Sequence, residues 1–183
     1  PLATSPTLPD DVTIDEVNEA RYLLAYLLYD GQHFEPAAQL GQLLTERYPN
    51  AKGSRQAARI ALAAWQQLAQ RSEGAAADAA RKQAVGLAAI MMQTWPAAAE
   101  TADAAAVAIA AAATAHDGNA IAELLAAISA SPRRAEILLR GGSALWREVQ
   151  QARRLAPDDR PAEATLSAWK TTATQALDDG LAA

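Results

Sequence analysis

Helix-stopping signals recur along this chain at intervals that suit paired helices. Pro49, Pro96 and Pro132 stand in the breaks Tyr48-Pro49, Trp95-Pro96 and Ser131-Pro132. Proline has no N–H to donate and steers the residue before it away from helical geometry. Each break therefore marks a helix boundary. Pro49 and Pro96 are 47 residues apart, and Pro96 and Pro132 are 36 apart. Some two-helix repeats have a period of about 34 residues. The second interval is close to that period, and an insertion around 71–81 absorbs the excess in the first. The 47-residue offset also aligns Leu44 with Met91, Ala57-Ala58 with Ala104-Ala105, Ile60 with Val107, and Leu62 with Ile109.

Other punctuation completes an expectation of eight helices. Thr13-Ile14-Asp15-Glu16 has the form of a capping box, and its helix runs to about Asp30 before Gly31. A second helix runs from Phe34 to Tyr48, and a third from about Ser54 to Gln70. Ser72–Ala80 reads as a loop or a weak helix start. The fourth helix stops at Trp95, and the fifth spans roughly Ala98–Ala115. The sixth spans Asn119–Ile128. Ser131-Pro132 reads as an N-cap followed by proline at the first helical position, opening a seventh helix that reaches about Leu155. The eighth runs from Pro161 to about Asp178. Residues 1–12 read as a linker or trimmed extension, and 13–183 as one helical domain.

Composition agrees with an all-α chain. Apolar residues make up 51% of it, many of them alanine, while aromatic content is only 5%. Alanine favours helix and adds little core volume, and the β-branched and aromatic runs of strands are absent. The expected architecture is a right-handed superhelical stack of about four antiparallel helix pairs, each burying the apolar face of its neighbour. A net charge of −5 argues against nucleic acid, whose binding needs a basic surface. No segment has the roughly 20 strongly apolar residues of a membrane span. With no cysteine, thiol catalysis and thiolate metal sites are excluded.

The run Leu24-Ala25-x-x-Leu28, Phe34-Glu35-Pro36-Ala37, Gly41, Leu44 and Pro49 resembles a tetratricopeptide repeat. The resemblance implies that Ala37 and Gly41 are small contacts between closely approaching helices. It also implies that Phe34 fills the gap between them and that Leu44 packs in the same seam. Leu138-x-x-x-Gly142-x-x-Leu145-Trp146 is a second, partial match. The Tyr-Pro ending of Phe34–Pro49 is similar to repeats of bacterial cell-envelope assembly proteins, which would imply an envelope or periplasmic setting.

Little in the sequence suggests catalysis. The two histidines, His33 and His116, have no metal-type spacing, so neither a metal nor another cofactor is expected. Asp10-Asp11, Asp158-Asp159 and Asp178-Asp179 are adjacent pairs, and neighbouring positions on a helix do not face each other. Gly141-Gly142-Ser143 lies mid-helix, where a nucleophile elbow or phosphate loop would need a preceding strand. Close helix packing explains it better. Met91-Met92, Trp65, Trp95, Trp146 and Trp169 read as core, with a place on a binding surface as the alternative for Trp95 and Trp169.

A protein-interaction scaffold is thus the leading expectation. A purely structural segment of a larger protein comes second, and an all-α enzyme third. The expected contact is a stripe of Arg133, Arg140, Arg147 and Arg154, which recur every seven residues. Seven residues are two helical turns with a drift of about 20°. Such a stripe suits an acidic peptide or a C-terminal carboxylate. The opposite face carries Leu138, Gly142, Leu145, Val149 and Ala152. The plainer alternative is a solvated face with Glu136 paired to Arg140.

Overall fold

The computed structural model describes residues 13–128 and 131–182, so the expected linker at 1–12 lies outside the described residues. Among the described residues the regular structure is eight α-helices and one 3-10 turn, with no strand. The chain divides into two compact units, residues 1–80 and 81–183, with the boundary inside one helix.

The first unit holds α1 (Ile14–Asp30), α2 (Phe34–Arg47), α3 (Ser54–Arg71) and the start of α4 (Gly74–Thr94). The stretch read as an insertion, 71–81, is thus mostly the opening of α4. Its alanines propagate a helix without a strong cap, so the sequence shows no clear start. Thr13 caps α1 as expected: its hydroxyl accepts from the Glu16 N–H at 3.3 Å, and Glu16 accepts from the Thr13 N–H at 2.8 Å. The α1–α2 turn is closed by Gln32 in left-handed geometry, φ 61°.

α1 packs on both α2 and α3, and α2 packs along α3. Gly41 sits at the α2–α3 seam. A Cβ there would run into the Ala57 carbonyl and stand 2.9 Å from the Ala61 Cβ. Ala37, Leu44, Ala57, Ala58 and Leu62 are buried beside it. Phe34 is also buried. Its ring meets Tyr29 edge-on at 5.5 Å, and the Arg71 guanidinium covers it at 4.6 Å. Ala25 is buried and Leu28 packs against the Phe34 cluster, but Leu24 is half exposed on the far side of α1.

The second unit holds the rest of α4, α5 (Glu100–Thr114), α6 (Gly118–Ala126), α7 (Arg134–Ala152) and α8 (Glu163–Ala182). α5 packs on α6 and α7, α6 on α7 and α8, and α7 along α8. Ile109, Ile121, Leu125, Ile137, Leu138, Leu145, Val149 and Trp169 form one continuous core. Glycines permit the close approaches. Gly141 faces Leu125 and Ile109, Gly142 faces Leu177 and Ala173, and a Cβ on Gly118 would stand 2.6 Å from the Trp169 ring. Trp169 is therefore core, not a surface anchor, and its Nε1 donates to Asn119 at 2.9 Å.

One turn occurs twice. The Tyr48 carbonyl accepts from the Ala51 N–H and from the Ser54 hydroxyl, at 3.0 and 2.6 Å. The Trp95 carbonyl accepts from the Ala98 N–H and from the Thr101 hydroxyl, at 2.9 and 2.7 Å. Every member of the second set lies 47 residues beyond its counterpart in the first, which is the offset of the proline breaks.

Candidate functional site: the groove between α5 and α7

The arginine stripe depends on where α7 begins and ends. The helix starts at Arg134, not at Ser131-Pro132, and ends at Ala152, not near Leu155. Ser131 does not cap it, since its buried Oγ has no hydrogen-bond partner. Arg133 becomes the N-cap residue and Arg154 lies beyond the C-terminal end. Only Arg140 and Arg147 remain on the helix, two turns apart, or about 10.5 Å of rise. The face expected to be core is core: Leu138, Gly142, Leu145, Val149 and Ala152 are all buried.

Arg133 is used structurally. It donates to both carboxylate oxygens of Glu136, at 2.9 and 3.0 Å, and also pairs with Asp103 on α5. Arg140 reaches back one turn to Glu136 at 3.1 Å. The hydrogen bonds from Arg133, followed by the charges of Arg133 and Arg140, hold the Glu136 carboxyl below its ordinary value. The expected Glu136–Arg140 pair is therefore present, within a four-residue cluster that ties α7 to α5.

Beside this cluster a groove of about 480 Å³ runs between α5 and α7. On the α5 side it is lined by Ala106, Ile109, Ala110 and Ala113, and on the α7 side by Ile137, Leu139, Arg140, Ser143, Ala144 and Arg147, with the Glu136 carboxylate, held by Arg133 and Arg140, also on that wall. Alanine at 106, 110 and 113 repeats on one helical face and leaves the floor shallow and apolar. Arg147 has no ion pair among the described residues, and its side chain is exposed. The groove thus joins an apolar floor to one satisfied and one unsatisfied guanidinium.

A wider groove of about 800 Å³ is lined by α4, α5 and α6. Its lining is mainly alanine, and its few charges, Lys82, Asp117 and Glu123, are of mixed sign. Size alone does not make it the better site, because nothing in it selects one kind of ligand.

Nothing in the sequence marks Glu148 as a buried carboxylate. Only 10% of its side chain is exposed, and both oxygens face Nδ1 of His116, at 3.2 and 3.3 Å. A carboxylate accepts hydrogen bonds, so the contact is a hydrogen bond in the tautomer that carries its proton on Nδ1. His116 closes α5 in left-handed geometry, φ 56°, and the pair fastens the α5–α6 corner to α7. His33 is an exposed residue at the start of α2 without a capping bond. Among the described residues no group of three or more His, Asp or Glu is arranged to hold a metal ion, and no helix is long and apolar enough to cross a membrane. No family model matches the chain, and neither the curated proteins nor the solved structures contain a match to it.

Proposed function

We propose that this protein is a helical-repeat interaction module, its helix pairs stacked in the right-handed manner of tetratricopeptide arrays. Its α5–α7 groove receives an acidic segment of a partner protein. The observation that carries the reading is the pairing of Arg140 and Arg147 along one wall of an alanine-floored groove. Small floor residues let a peptide backbone lie close to the helices. Guanidinium forks above it bind carboxylates in two-point fashion. The Arg133–Asp103–Glu136 cluster supports this role by fixing α7 against α5, so the groove is formed before a ligand arrives. The repeated turn at Tyr48 and Trp95 supports the repeat part of the reading.

Fluorescence anisotropy with a labelled glutamate-rich peptide tests it. Binding at low salt should fall by at least about tenfold in Arg140→Glu/Arg147→Glu and weaken as salt screens the contact. Arg153→Glu/Arg154→Glu, past the end of α7, should bind as wild type does. Equal affinity in wild type and the first double variant, or an equal loss in the second, would remove the groove from consideration.

A further inference from the structure

The surface of α1 that faces away from α2 and α3 is apolar. Leu23, Leu24 and Leu27 are 52, 50 and 63% exposed, and Tyr26 beside them is 51% exposed. At 100° per residue, Ala20, Leu23, Leu24 and Leu27 lie on one side of the helix, opposite the buried Asn18 and Ala25. Single exposed leucines are ordinary, but three within five residues on one face form a patch of the kind that marks an interface.

We infer that this face pairs with the same face of a second copy of the chain, as an antiparallel two-fold contact of α1 against α1. Three observations select that occupant. The first is shape. An axis level with the midpoint of Leu23 and Leu24 puts each Leu27 over the partner's Ala20, a large residue over a small one. It also sets Leu23 and Leu24 against their own counterparts on either side of the axis. The second is charge. A parallel pair would align Glu16, Glu19 and Asp30 each with its own copy, three like-charge contacts that destabilise. The antiparallel register opposes the helix dipoles and reduces the like-charge contacts to two, each Glu16 lying beside the partner's Asp30. The third is area. The exposed apolar side chains and their rim amount to roughly 500 Å² per copy, so a dimer buries about 1,000 Å², at the lower bound for a specific interface. The dimer is accordingly weak and concentration-dependent.

Sedimentation velocity and light scattering on the full chain decide the matter. The mass should rise from 19.2 kDa towards twice that between about 1 and 300 μM, a range suited to so small an interface. Leu27→Glu should stay monomeric throughout, with unchanged circular dichroism and melting. Ala20→Leu separates this contact from general stickiness: it adds apolar area yet fills the space taken by the partner's Leu27, so it should weaken the dimer. Because the chain lacks cysteine, single cysteines report geometry directly. Leu24→Cys should cross-link across the axis. Ala20→Cys should not, since the two copies lie about seven residues, or 10.5 Å, apart along the helices. Three results would each overturn the inference: a monomer at every concentration, a tighter dimer in Ala20→Leu, or cross-linking through Ala20→Cys in preference to Leu24→Cys.

Discussion

Two glycines with the same helical propensity have opposite consequences here. A Cβ added at Gly41 would collide with the Ala57 carbonyl and the Ala61 methyl of α3, whereas one added at Gly86 meets nothing within 4 Å. Gly41→Leu should overpack the α2–α3 seam and cost on the order of 1–3 kcal/mol. Gly86→Ala should stabilise by about 0.5–1 kcal/mol, because it restricts the unfolded chain and meets no obstacle in the folded one. Urea denaturation of both variants checks the pair, and a Gly41→Leu midpoint equal to wild type would contradict the seam. Gly41 was legible in the sequence because its neighbours at helical spacing, Ala37 and Leu44, also belong to the seam. Glu148 was not legible. A glutamate on a long helix looks solvated, and its burial depends on His116, 32 residues away. The outward position of Leu24 was not legible either: it stands beside Ala25 in the motif, yet Ala25 faces inward and Leu24 does not.

At the level of elements, helix existence was legible and helix ends were not. α3 matches its expected span within a residue, because Gly53 and Ser72 punctuate it. α7 begins late because the Ser131-Pro132 signal makes a turn instead of a cap, and this divides the four arginines between helix and flanks. The ion cluster at its start gives an acid-sensitive element. Glu136 titrates below its ordinary value because the charged form accepts from Arg133 and faces Arg140. A carboxyl with a lowered folded value stabilises at pH above its unfolded value. It loses that contribution as pH falls through the folded one, so the α7 start should loosen only below about pH 4.5, the ordinary carboxyl value. Carboxyl-resolved NMR titration should find the Glu136 midpoint below that value. Arg133→Gln should return it most of the way, since the Arg133 hydrogen bond is the largest cause. A midpoint unmoved by Arg133→Gln would mean the cluster does not form in solution.

On the scale of the molecule, the 47-residue repetition is what the sequence showed most faithfully. It appeared first as a proline interval, then as aligned apolar positions, and in the structure as one hydrogen-bonded turn built twice, with Ser54 and Thr101 doing the same work. The division into two units at Ala80 was not legible, because it falls inside α4, where an alanine-rich run continues past Asp78, Arg81 and Lys82 without a break. Each unit nevertheless has a core of its own. The Phe34, Ala37, Ala38 and Ala64 cluster lies wholly in the first, and the cluster from Ala102 to Ala176 wholly in the second. The larger cluster includes Ile109, Ile121, Leu125, Leu145, Val149 and Trp169, with glycines allowing close contact at three seams, so it contains what a small helical domain needs. A fragment of residues 81–183 should therefore fold alone, giving a helical far-UV spectrum and a cooperative thermal transition. Within it, Gly142→Leu should lower the midpoint by several degrees, since overpacking by about 1–3 kcal/mol shifts a domain of this size by that much. A fragment that melts without cooperativity would show that the second core depends on the first unit.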